Sequence, residues 1–468
     1  MTDTPKPLRV AIIGSGPSGA YAAGQLLRSG DVEVAVLERL ATPWGLVRGG
    51  VAPDHPKIKS VSRVFEKTAA SDAFRLFGDV EVGRDVTHEE LLDWYDAVLY
   101  AVGTAADKRS GIPGEELPGS HSATDFVGWY NGHPDHRDLE VDLMRAHRAV
   151  VVGNGNVAVD VARMLCLTPE ELAPTDTADH ALAVLDASAI TEVVVLGRRG
   201  PEQAAFTNPE LIELSELADA DLVIDPAELE VAEDLREADL DQTARKNVEL
   251  LAEYAAREPQ GRRRRIVLRF LAGPTALEGD GHVERVRIAR NRLERDASGA
   301  LKARSTGEEE VLEAGIVLRA IGYTGIPVPG VPFDAKRGLI PHDGEGRITD
   351  GEGGAPLPGA YVAGWIKRGP SGVIGTNKKD AQQTVDALLA DLEAGRLPRG
   401  DTKSPDEVEA ILRERRPQLV DVAGWKAIDA HEQATGAEAG RPRVKLTRRD
   451  ELIAIASAVE AEGEASGV

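Results

Sequence analysis

Twice in this chain a short apolar run is followed at once by a glycine-rich turn and a helical pattern. The first copy is VAIIGSGPSGAYAAGQLL, which begins at Val10, and the second is VVVGNGNVAVDVARML, which begins at Val150. A strand, a glycine turn and a helix with this spacing open a Rossmann-type dinucleotide-binding domain. Two copies in a chain of 468 residues therefore predict an α/β protein with two such domains.

The first turn has glycine at all three positions of the motif. Gly14 permits the tight bend, Gly16 lets the backbone approach a pyrophosphate, and Gly19 lets the helix pack close to the strand. The motif also expects an acid at the end of the second strand, where it bonds a ribose hydroxyl, and Glu38 stands there. These features predict a dinucleotide whose diphosphate lies at the helix N-terminus.

The second turn has Gly153 and Gly155, with Ala158 at the third position, where alanine is tolerated. Its second strand ends at Arg198 and Arg199 instead of an acid. A carboxylate would repel a 2′-phosphate, whereas guanidinium groups pair with it. The second turn is therefore predicted to select NADP. The two sites together indicate a bound flavin dinucleotide that receives hydride from NADPH.

The segments between and after the turns indicate how two domains share the chain. The stretches GIPGEELPG and PVPGVP interrupt regular structure on either side of the second turn's domain. We predict that residues 1–106 and 326–468 form a discontinuous FAD-binding domain. Residues 107–325 are predicted to form an NADP-binding domain inserted into it, with a small antiparallel layer between about residues 267 and 319.

Composition excludes several other classes of protein. The 78 acidic residues outnumber the 55 basic ones, and the net charge of −23 argues against binding to nucleic acid or anionic membranes. No apolar run approaches the ~18–20 residues that span a bilayer, and we expect a cytoplasmic protein. Cys166 is the one cysteine, so a Cys-x-x-Cys redox pair and a four-thiolate iron–sulfur cluster are excluded, and no metal site is predicted.

Four longer segments resemble one known family. They are ATPWGLVRGGVAPDHPKIK, GNGNVAVDVAR, GRRGPEQAAFTNPEL and GWIKRGPSGVIGTNKKDAQQTV, and they resemble the adrenodoxin-reductase type of ferredoxin–NADP reductase in its bacterial form. The resemblance implies a flavoprotein oxidoreductase with the glutathione-reductase-like architecture. It would pass hydride from NADPH to flavin N5 and then single electrons to an acidic ferredoxin. We expect a monomer or a weak oligomer.

The resemblance also implies which residues contact the cofactors. Those for FAD are Gly14, Ser15, Gly16, Pro17, Glu38, Leu46, Val82, Trp365, Gly372, Val373 and Ile374. Those for NADP(H) are Asn154, Gly155, Asn156, Val157, Arg198, Arg199, Glu210 and Gly372. Many relatives have Arg shortly before IPGE, where this chain has Lys108 with Arg109 next to it, so which of the two reaches the nucleotide phosphates is left open.

The resemblance makes His55 and Glu210 candidates for moving the proton that accompanies electron release. Histidine titrates near neutrality, and a carboxylate can orient it. The alternative is a histidine in a turn and a glutamate on a helix surface. Basic residues are candidates for docking a ferredoxin: the run GRRRR that ends at Arg265, and Lys57, Lys59, Lys367 and Arg368. The alternative for the run is a solvated cluster of charges.

Other flavoproteins with two dinucleotide sites are the main alternatives. A disulfide reductase of the thioredoxin-reductase type needs a dithiol, which one cysteine cannot supply. An NADPH-dependent reductase like the glutamate synthase subunit, or one that reduces oxygen or a quinone, stays open. A nucleotide sensor without catalytic turnover would bind both dinucleotides and reduce nothing.

Overall fold

The structure is a computed structural model that describes residues 6–230, 240–372, 374–398, 400 and 402–466. It divides into two compact units. The first unit combines the segments Met1–Asp107 and Gly322–Val468, and the second is Lys108–Ile321. Within the described ranges, none of the helices combines the length and apolar character needed to cross a membrane.

The first segment of the first unit opens with the strand, helix and strand that the sequence pattern predicts at residues 9–13, 18–28 and 33–37, and each observed element lies within one residue of those bounds. Its elements are β1 (Leu8–Ile13), α1 (Pro17–Ser29), β2 (Val32–Glu38), α2 (Leu46–Gly49), α3 (Pro56–Lys59), α4 (Ser62–Ala69), β3 (Phe74–Gly78), α5 (His88–Trp94), β4 (Ala97–Tyr100) and β5 (Ala106–Asp107). The apolar run YDAVLYAVG at residues 95–103 predicts a strand, and the strand observed there is shorter, Ala97–Tyr100.

The second unit repeats this beginning and adds further strands. Its elements are β6 (Ser120–Ser122), α6 (Ala123–Tyr130), β7 (Arg148–Val152), α7 (Asn156–Met164), α8 (Pro169–Leu172), α9 (Asp179–Asp186), β8 (Glu192–Gly197), α10 (Asn208–Ser215), β9 (Ala220–Ile224), α11 (Gln242–Ala255), β10 (Arg264–Phe270), β11 (Ala272–Glu278), β12 (Arg285–Arg295), β13 (Leu301–Glu313) and β14 (Ile316–Arg319).

The last segment returns to the first unit and is largely helical. Its elements are β15 (Tyr323–Thr324), β16 (Arg347–Thr349), β17 (Pro356–Val362), α12 (Trp365–Arg368), α13 (Ile374–Glu393), α14 (Pro405–Arg415), α15 (Val422–Glu438) and α16 (Arg449–Ser466). Helix α13 packs against α1 through Val385, Leu388 and the alanines of α1.

Each unit holds a six-stranded sheet. The strand order is β16-β17-β4-β1-β2-β3 in the first unit, where only the β16–β17 pair is antiparallel. It is β6-β14-β7-β8-β10-β9 in the second unit, where every neighbouring pair is parallel. The central strands are continuous apolar runs, as strands covered on both faces require. These sheets confirm the predicted α/β class with two Rossmann-type units.

The strand order places each glycine turn where an open parallel sheet binds ligands. In the first unit β1 lies between β2 and β4, and in the second β7 lies between β8 and β14. The order of the strands reverses beside β1 and beside β7, and ligands bind outside the carboxyl ends of the strands at such a point. The second unit also has the predicted antiparallel layer, β11-β12-β13.

Candidate dinucleotide-binding sites

The first glycine turn has no room for side chains at two of its three glycines. Gly14 has a φ of +100°, and a Cβ there would lie 2.6 Å from the carbonyl oxygen of Ala101, which follows β4. A Cβ on Gly19 would run into the carbonyl oxygen of Gly14 and lie 3.2 Å from Ile12 Cγ2. A Cβ on Gly16, by contrast, would meet no other atom within 4 Å. The space at the N-terminus of α1 is therefore open to a diphosphate.

Glu38 is oriented toward this turn by backbone and hydroxyl donors. Its Oε2 accepts hydrogen bonds from Ser15 N at 3.0 Å and Ser15 Oγ at 2.6 Å, and its Oε1 accepts one from Leu40 N at 3.0 Å. A carboxylate accepts about four hydrogen bonds, so capacity is left for a ribose hydroxyl. Pro17, the first residue of α1, needs no donor partner because it has no N–H.

The loop before α2 packs directly on the turn. Trp44 N donates to Ser15 Oγ at 3.1 Å, and a Cβ on Gly45 would lie 2.9 Å from Gly16 Cα. Trp44 has a φ of +81°, a conformation that costs about 1–3 kcal/mol and that the surrounding structure must hold. Leu46 follows this loop and is 46% exposed, which leaves its side chain available to a ligand.

Trp365 lies at the carboxyl edge of the same sheet, just beyond β17. Its ring is 5.6 Å from that of Tyr323, and its Nε1 is buried without a hydrogen-bond partner in the described part of the chain. A buried, unpaired N–H indicates a missing acceptor. Together with the open position at Gly16, this donor shows that the site fits a bound dinucleotide such as FAD.

The other residues predicted to contact FAD occupy loops of the first unit. Val82 is buried in the turn after β3, where Gly83 N donates to Val86 O at 2.7 Å. Gly372 is exposed with a φ of +77°, and Ile374 begins α13. Val373 lies outside the described residues.

The second turn reproduces the geometry of the first. Gly153 has a φ of +127°, and a Cβ there would run into the carbonyl oxygen of Ala320, which follows β14. At Gly155 the nearest atom to a Cβ is Ala205 Cβ, 4.0 Å away. The N-terminus of α7, where Asn156 and Val157 lie, is therefore as accessible as that of α1.

A segment distant in sequence holds the second turn. Ala205 N donates to Asn154 O at 3.0 Å, and Thr207 N donates to Asn156 Oδ1 at 2.8 Å. Asn154 Nδ2 is buried without a partner in the described residues. An unsatisfied amide beside the open turn is consistent with a ligand acceptor there.

Arg198 and Arg199 directly follow β8, at the carboxyl edge of the second sheet. Their main chain is fixed, because Asn291 Nδ2 donates to Arg198 O and Leu271 N donates to Arg199 O, each at 3.0 Å. Both side chains are exposed, and neither guanidinium makes an ion pair with another described residue. They are thus free to bind a phosphate.

The structure distinguishes the two cations before IPGE. Arg109 pairs with Glu116 at 2.8 Å. Lys108 is exposed and makes no ion pair within the described ranges. An unpaired ammonium group needs no exchange of partners to bind a phosphate, so the geometry favours Lys108.

Glu210 is a half-buried acid beside another carboxylate. It lies on α10, its side chain is 12% exposed, and its Oε2 is 3.5 Å from Nη1 of the buried Arg163. Burial, and then the negative charge of Asp160, raise the pKa of Glu210 to about 8. Both causes favour the protonated form of this carboxyl group. The alternative of an ordinary surface glutamate is wrong.

His55 lies in the first unit at the N-terminus of α3. It is half-buried, its N–H donates to Ala52 O at 3.0 Å, and its carbonyl accepts from Ile58 N at 3.1 Å. These backbone bonds define its position in the turn. Its part in proton transfer stays a prediction.

Comparison with known proteins was made at the level of sequence and of structure. The sequence model described as pyridine nucleotide-disulphide oxidoreductase matches residues 8–194. NADPH-ferredoxin reductase FprA of Mycobacterium tuberculosis is 52% identical over 460 residues, which cover 96% of this chain and 99% of the relative. The mitochondrial NADPH:adrenodoxin oxidoreductase of Arabidopsis thaliana is 41% identical over 465 residues, with 97% and 96% covered.

The chain belongs to the adrenodoxin-reductase type of ferredoxin–NADP reductases. A solved structure of Mycobacterium tuberculosis FprA in complex with NADPH agrees with this assignment. It superposes with a TM-score of 0.91 at 51% identity and covers 96% of this chain and 100% of that one. The resemblance inferred from the four motifs is confirmed over nearly the whole chain.

The arginines of the basic run in this reductase bind groups of their own unit. Arg264 is 3% exposed and donates to Leu167 O at 2.6 Å. Its neighbours are neutralised: Arg263 pairs with Asp219 at 2.8 Å. The remaining pairs are Arg262 with Asp221 and Arg265 with Glu192. The run stabilises the start of β10 by binding acids of its own unit.

The prediction that Lys367 docks a ferredoxin is wrong. It is 3% exposed, and its Nζ lies 3.2 Å from Asp380 Oδ1 and 3.2 Å from Thr384 Oγ1. The neighbouring Arg368 donates to Asn377 Oδ1 at 2.8 Å. In this reductase the segment after β17 therefore uses its cations to anchor α12 on α13.

Sequence reasoning missed three features of the reductase site. Trp44 was not singled out, although it follows a proline in a glycine-rich loop. Asp160 and Arg163, which set the environment of Glu210, are three residues apart on α7 and pair at 2.8 Å. Their helical spacing predicts that pair, but nothing in the sequence connects them to α10.

Proposed function

We propose that this chain is a ferredoxin–NADP reductase that carries electrons from NADPH to an acidic ferredoxin, with FAD as its resident cofactor. One observation carries the proposal. Two glycine turns of the same geometry end in opposite charges, Glu38 in one unit and Arg198 with Arg199 in the other. Relatives named NADPH-ferredoxin reductase, alike over nearly their whole length, support the same conclusion.

The two units divide the cofactors between them. The first unit holds FAD at the turn of Gly14, with Glu38 on the ribose and Trp365 as a donor to the flavin nucleotide. The second unit holds NADPH at the turn of Gly153. This assignment follows the predicted division into residues 1–106 with 326–468, and 107–325.

When bound, FAD supplies the conversion of one two-electron hydride into two single electrons. The residues of the chain bind and orient. The N-terminus of α1 supplies backbone N–H groups and a positive dipole end to a diphosphate. Leu46 and Val82 supply apolar contact.

The second unit selects the nucleotide by its charge. Arg198 and Arg199 bind the 2′-phosphate. Lys108, the first residue of the same unit, binds the nucleotide phosphates. A hydrogen bond between charged groups contributes about 1.5–3 kcal/mol. NADPH is then preferred over NADH by about 10- to 150-fold for each such bond.

Glu210 and His55 handle the proton. Glu210 holds a proton more readily than an ordinary glutamate, because burial and Asp160 raise its pKa to about 8. Histidine exchanges protons in the same pH range. Both roles rest on the family resemblance, and the raised pKa of Glu210 supports its own role. Cytoplasmic location and a monomeric or weakly oligomeric state stay predictions.

An anaerobic titration of the purified protein with NADPH, followed by visible absorption, tests the proposal. We expect a flavin spectrum that NADPH bleaches and that NADH bleaches much less readily, followed by reoxidation when a ferredoxin is added. A colourless protein would contradict the FAD site. Bleaching by NADPH without reoxidation by ferredoxin would favour another acceptor.

A further inference from the structure

The outer side of α3 and α4 is basic in an acidic chain. The segment 56–69 has four cations and one acid, whereas the whole chain has a net charge of −23. Three of its cations, Lys57, Arg63 and Lys67, and two of its apolar residues, Ile58 and Val64, are exposed, as are Pro56, Ser60 and the one acid, Glu66. We name the three cations and the two apolar residues the α3–α4 surface.

The described acids leave the cations of the α3–α4 surface without ion-pair partners. Lys57, Arg63 and Lys67 make no ion pair with any described residue. Arg63 and Lys67 are one turn apart on α4, and like charges at this spacing destabilise a helix by about 0.2–0.5 kcal/mol. The basic run at Arg262–Arg265 is the opposite case, since acids of its own unit bind it. The α3–α4 surface thus keeps charge that an external partner can neutralise.

The same surface also exposes apolar side chains. Ile58 is 43% exposed and Val64 is 53% exposed. They are not needed for packing, because α4 buries Phe65 on its other side. The Phe65 ring lies 5.1 Å from the ring of Tyr21 and 5.6 Å from that of Trp44. Apolar residues bordered by unpaired cations have the composition of a protein interface with a polar rim.

The α3–α4 surface adjoins the loop assigned to the flavin. Helix α3 contacts α2, which begins at the exposed Leu46. Leu46 follows Gly45, whose backbone packs on Gly16 in the first turn. A partner seated on this surface therefore lies beside the loop that we propose holds the cofactor, where an electron acceptor has to bind.

We infer that the α3–α4 surface is the docking site of the acidic ferredoxin, an inference that rests on the proposed function. A small acidic protein experiences the local positive field, since charges separated by more than about 8–10 Å are screened at physiological ionic strength. An extended anion, such as a membrane or a nucleic acid, also meets the negative remainder of the chain. Complementary charge at the rim mainly accelerates association.

The holoenzyme with Arg63→Glu and Lys67→Glu tests this inference. Rates are measured with NADPH and a purified acidic two-iron ferredoxin, with cytochrome c as the final acceptor, over a series of ionic strengths. We expect the KM for ferredoxin to rise at least ~10-fold at low ionic strength and the difference to shrink as salt is added. The NADPH–ferricyanide rate should be unchanged, because neither residue contacts a proposed cofactor site.

Matched controls separate docking from net charge. Arg304→Glu with Lys336→Glu reverses two exposed, unpaired cations on other elements, and should leave the KM for ferredoxin near that of the wild type. Arg63→Gln with Lys67→Gln should give an intermediate increase. Val64→Ser should raise the KM about as much at high salt as at low salt, because its contribution is apolar.

Two results would overturn the inference. One is an unchanged KM for ferredoxin in both α4 double variants. That result would overturn the inference whether or not the wild-type protein binds anionic phosphatidylserine vesicles. The other is an equal increase in the control. A wild-type protein that reduces ferricyanide with NADPH but no ferredoxin at any ionic strength would instead overturn the proposed function, and the docking site with it.

Discussion

The turns at Gly14 and Gly153 are built alike down to the carbonyl that each first glycine faces, which follows the neighbouring parallel strand in both units. They differ in what surrounds them. The first turn has a carboxylate at the end of the second strand. The loop before α2 packs on this turn and leads to contacts with the C-terminal helices. The second turn has two arginines that make no ion pair with a described residue, and Ala205 and Thr207 donate hydrogen bonds to it. The backbone thus provides a site for a diphosphate, and the surroundings select the nucleotide.

Helix α2, which follows this loop, is joined to α15 by a buried ion cluster. Arg48, on α2, donates to Glu432 on α15 through both Nη atoms, at 2.8 and 2.5 Å. Glu432 also accepts from Arg443 Nη1 at 3.1 Å and from Leu446 N at 2.9 Å, and its side chain is fully buried. Burial alone would raise the pKa of Glu432, but the two arginines outweigh it and the pKa is lowered.

The largest effect is expected from Glu432→Gln, because it leaves the half-buried Arg48 without its carboxylate partner, whereas Arg443 keeps Asp429 at 2.7 Å. Breaking one side of a buried ion cluster costs about 3–5 kcal/mol. We expect FAD to be released at a distinctly lower temperature, measured by flavin fluorescence on heating, while NADPH-binding residues are untouched. Glu116→Gln removes an exposed acid paired with Arg109 and is the control, expected within about 1 kcal/mol. Equal release temperatures in the two variants would show that the ion cluster does not stabilise the FAD site.

Arg198→Ala should have the next largest effect, and only at the second turn. Loss of a charged hydrogen bond of about 1.5–3 kcal/mol weakens NADPH binding by about 10- to 150-fold. NADH, which lacks the 2′-phosphate, should bind about as before, and the FAD content should not change. Calorimetric titration with both nucleotides measures this, with Arg263→Ala as a cation-removal control. Equal losses for NADPH and NADH would contradict phosphate recognition.

Glu210→Gln should have the smallest effect, which is a change in how the stability of the second unit depends on pH. The folded pKa of about 8 lies above the ordinary value of 4.5, so the folded state binds more protons than the unfolded state between these values. The contribution of Glu210 to the stability of the second unit is therefore fully present below about pH 4.5 and is lost as the pH rises toward 8, by at most about 1.4 kcal/mol per pH unit.

Thermal unfolding of wild type and Glu210→Gln between pH 5 and 8 measures that slope. The variant cannot lose a proton, so its unfolding temperature should change less with pH over this range. Glu216→Gln, an exposed acid at the end of the same helix, should keep the wild-type slope. A variant with an unchanged slope would contradict the raised pKa.

Much of the fold could be predicted because its signals are local. The strand, turn and helix around Gly14 lie within one residue of their predicted bounds, since a buried parallel strand must be apolar and the turn must be glycine. The site was predicted less completely. The run at Arg262–Arg265 looks like free charge in sequence, and its acids at Asp219, Asp221 and Glu192 lie far away along the chain.

The sequence by itself determined both dinucleotide turns, their charge selectivity and the family, because each depends on neighbouring residues or on long motifs. Only the tertiary structure decided which charges are free. In the described part of the chain it left Lys108 and the cations of the α3–α4 surface without ion pairs, buried Arg264 and Lys367 among partners of their own units, and raised the pKa of Glu210. Charge pairing and desolvation depend on groups brought together by folding, and a carboxyl group gains or loses a proton according to neighbours that no local pattern specifies.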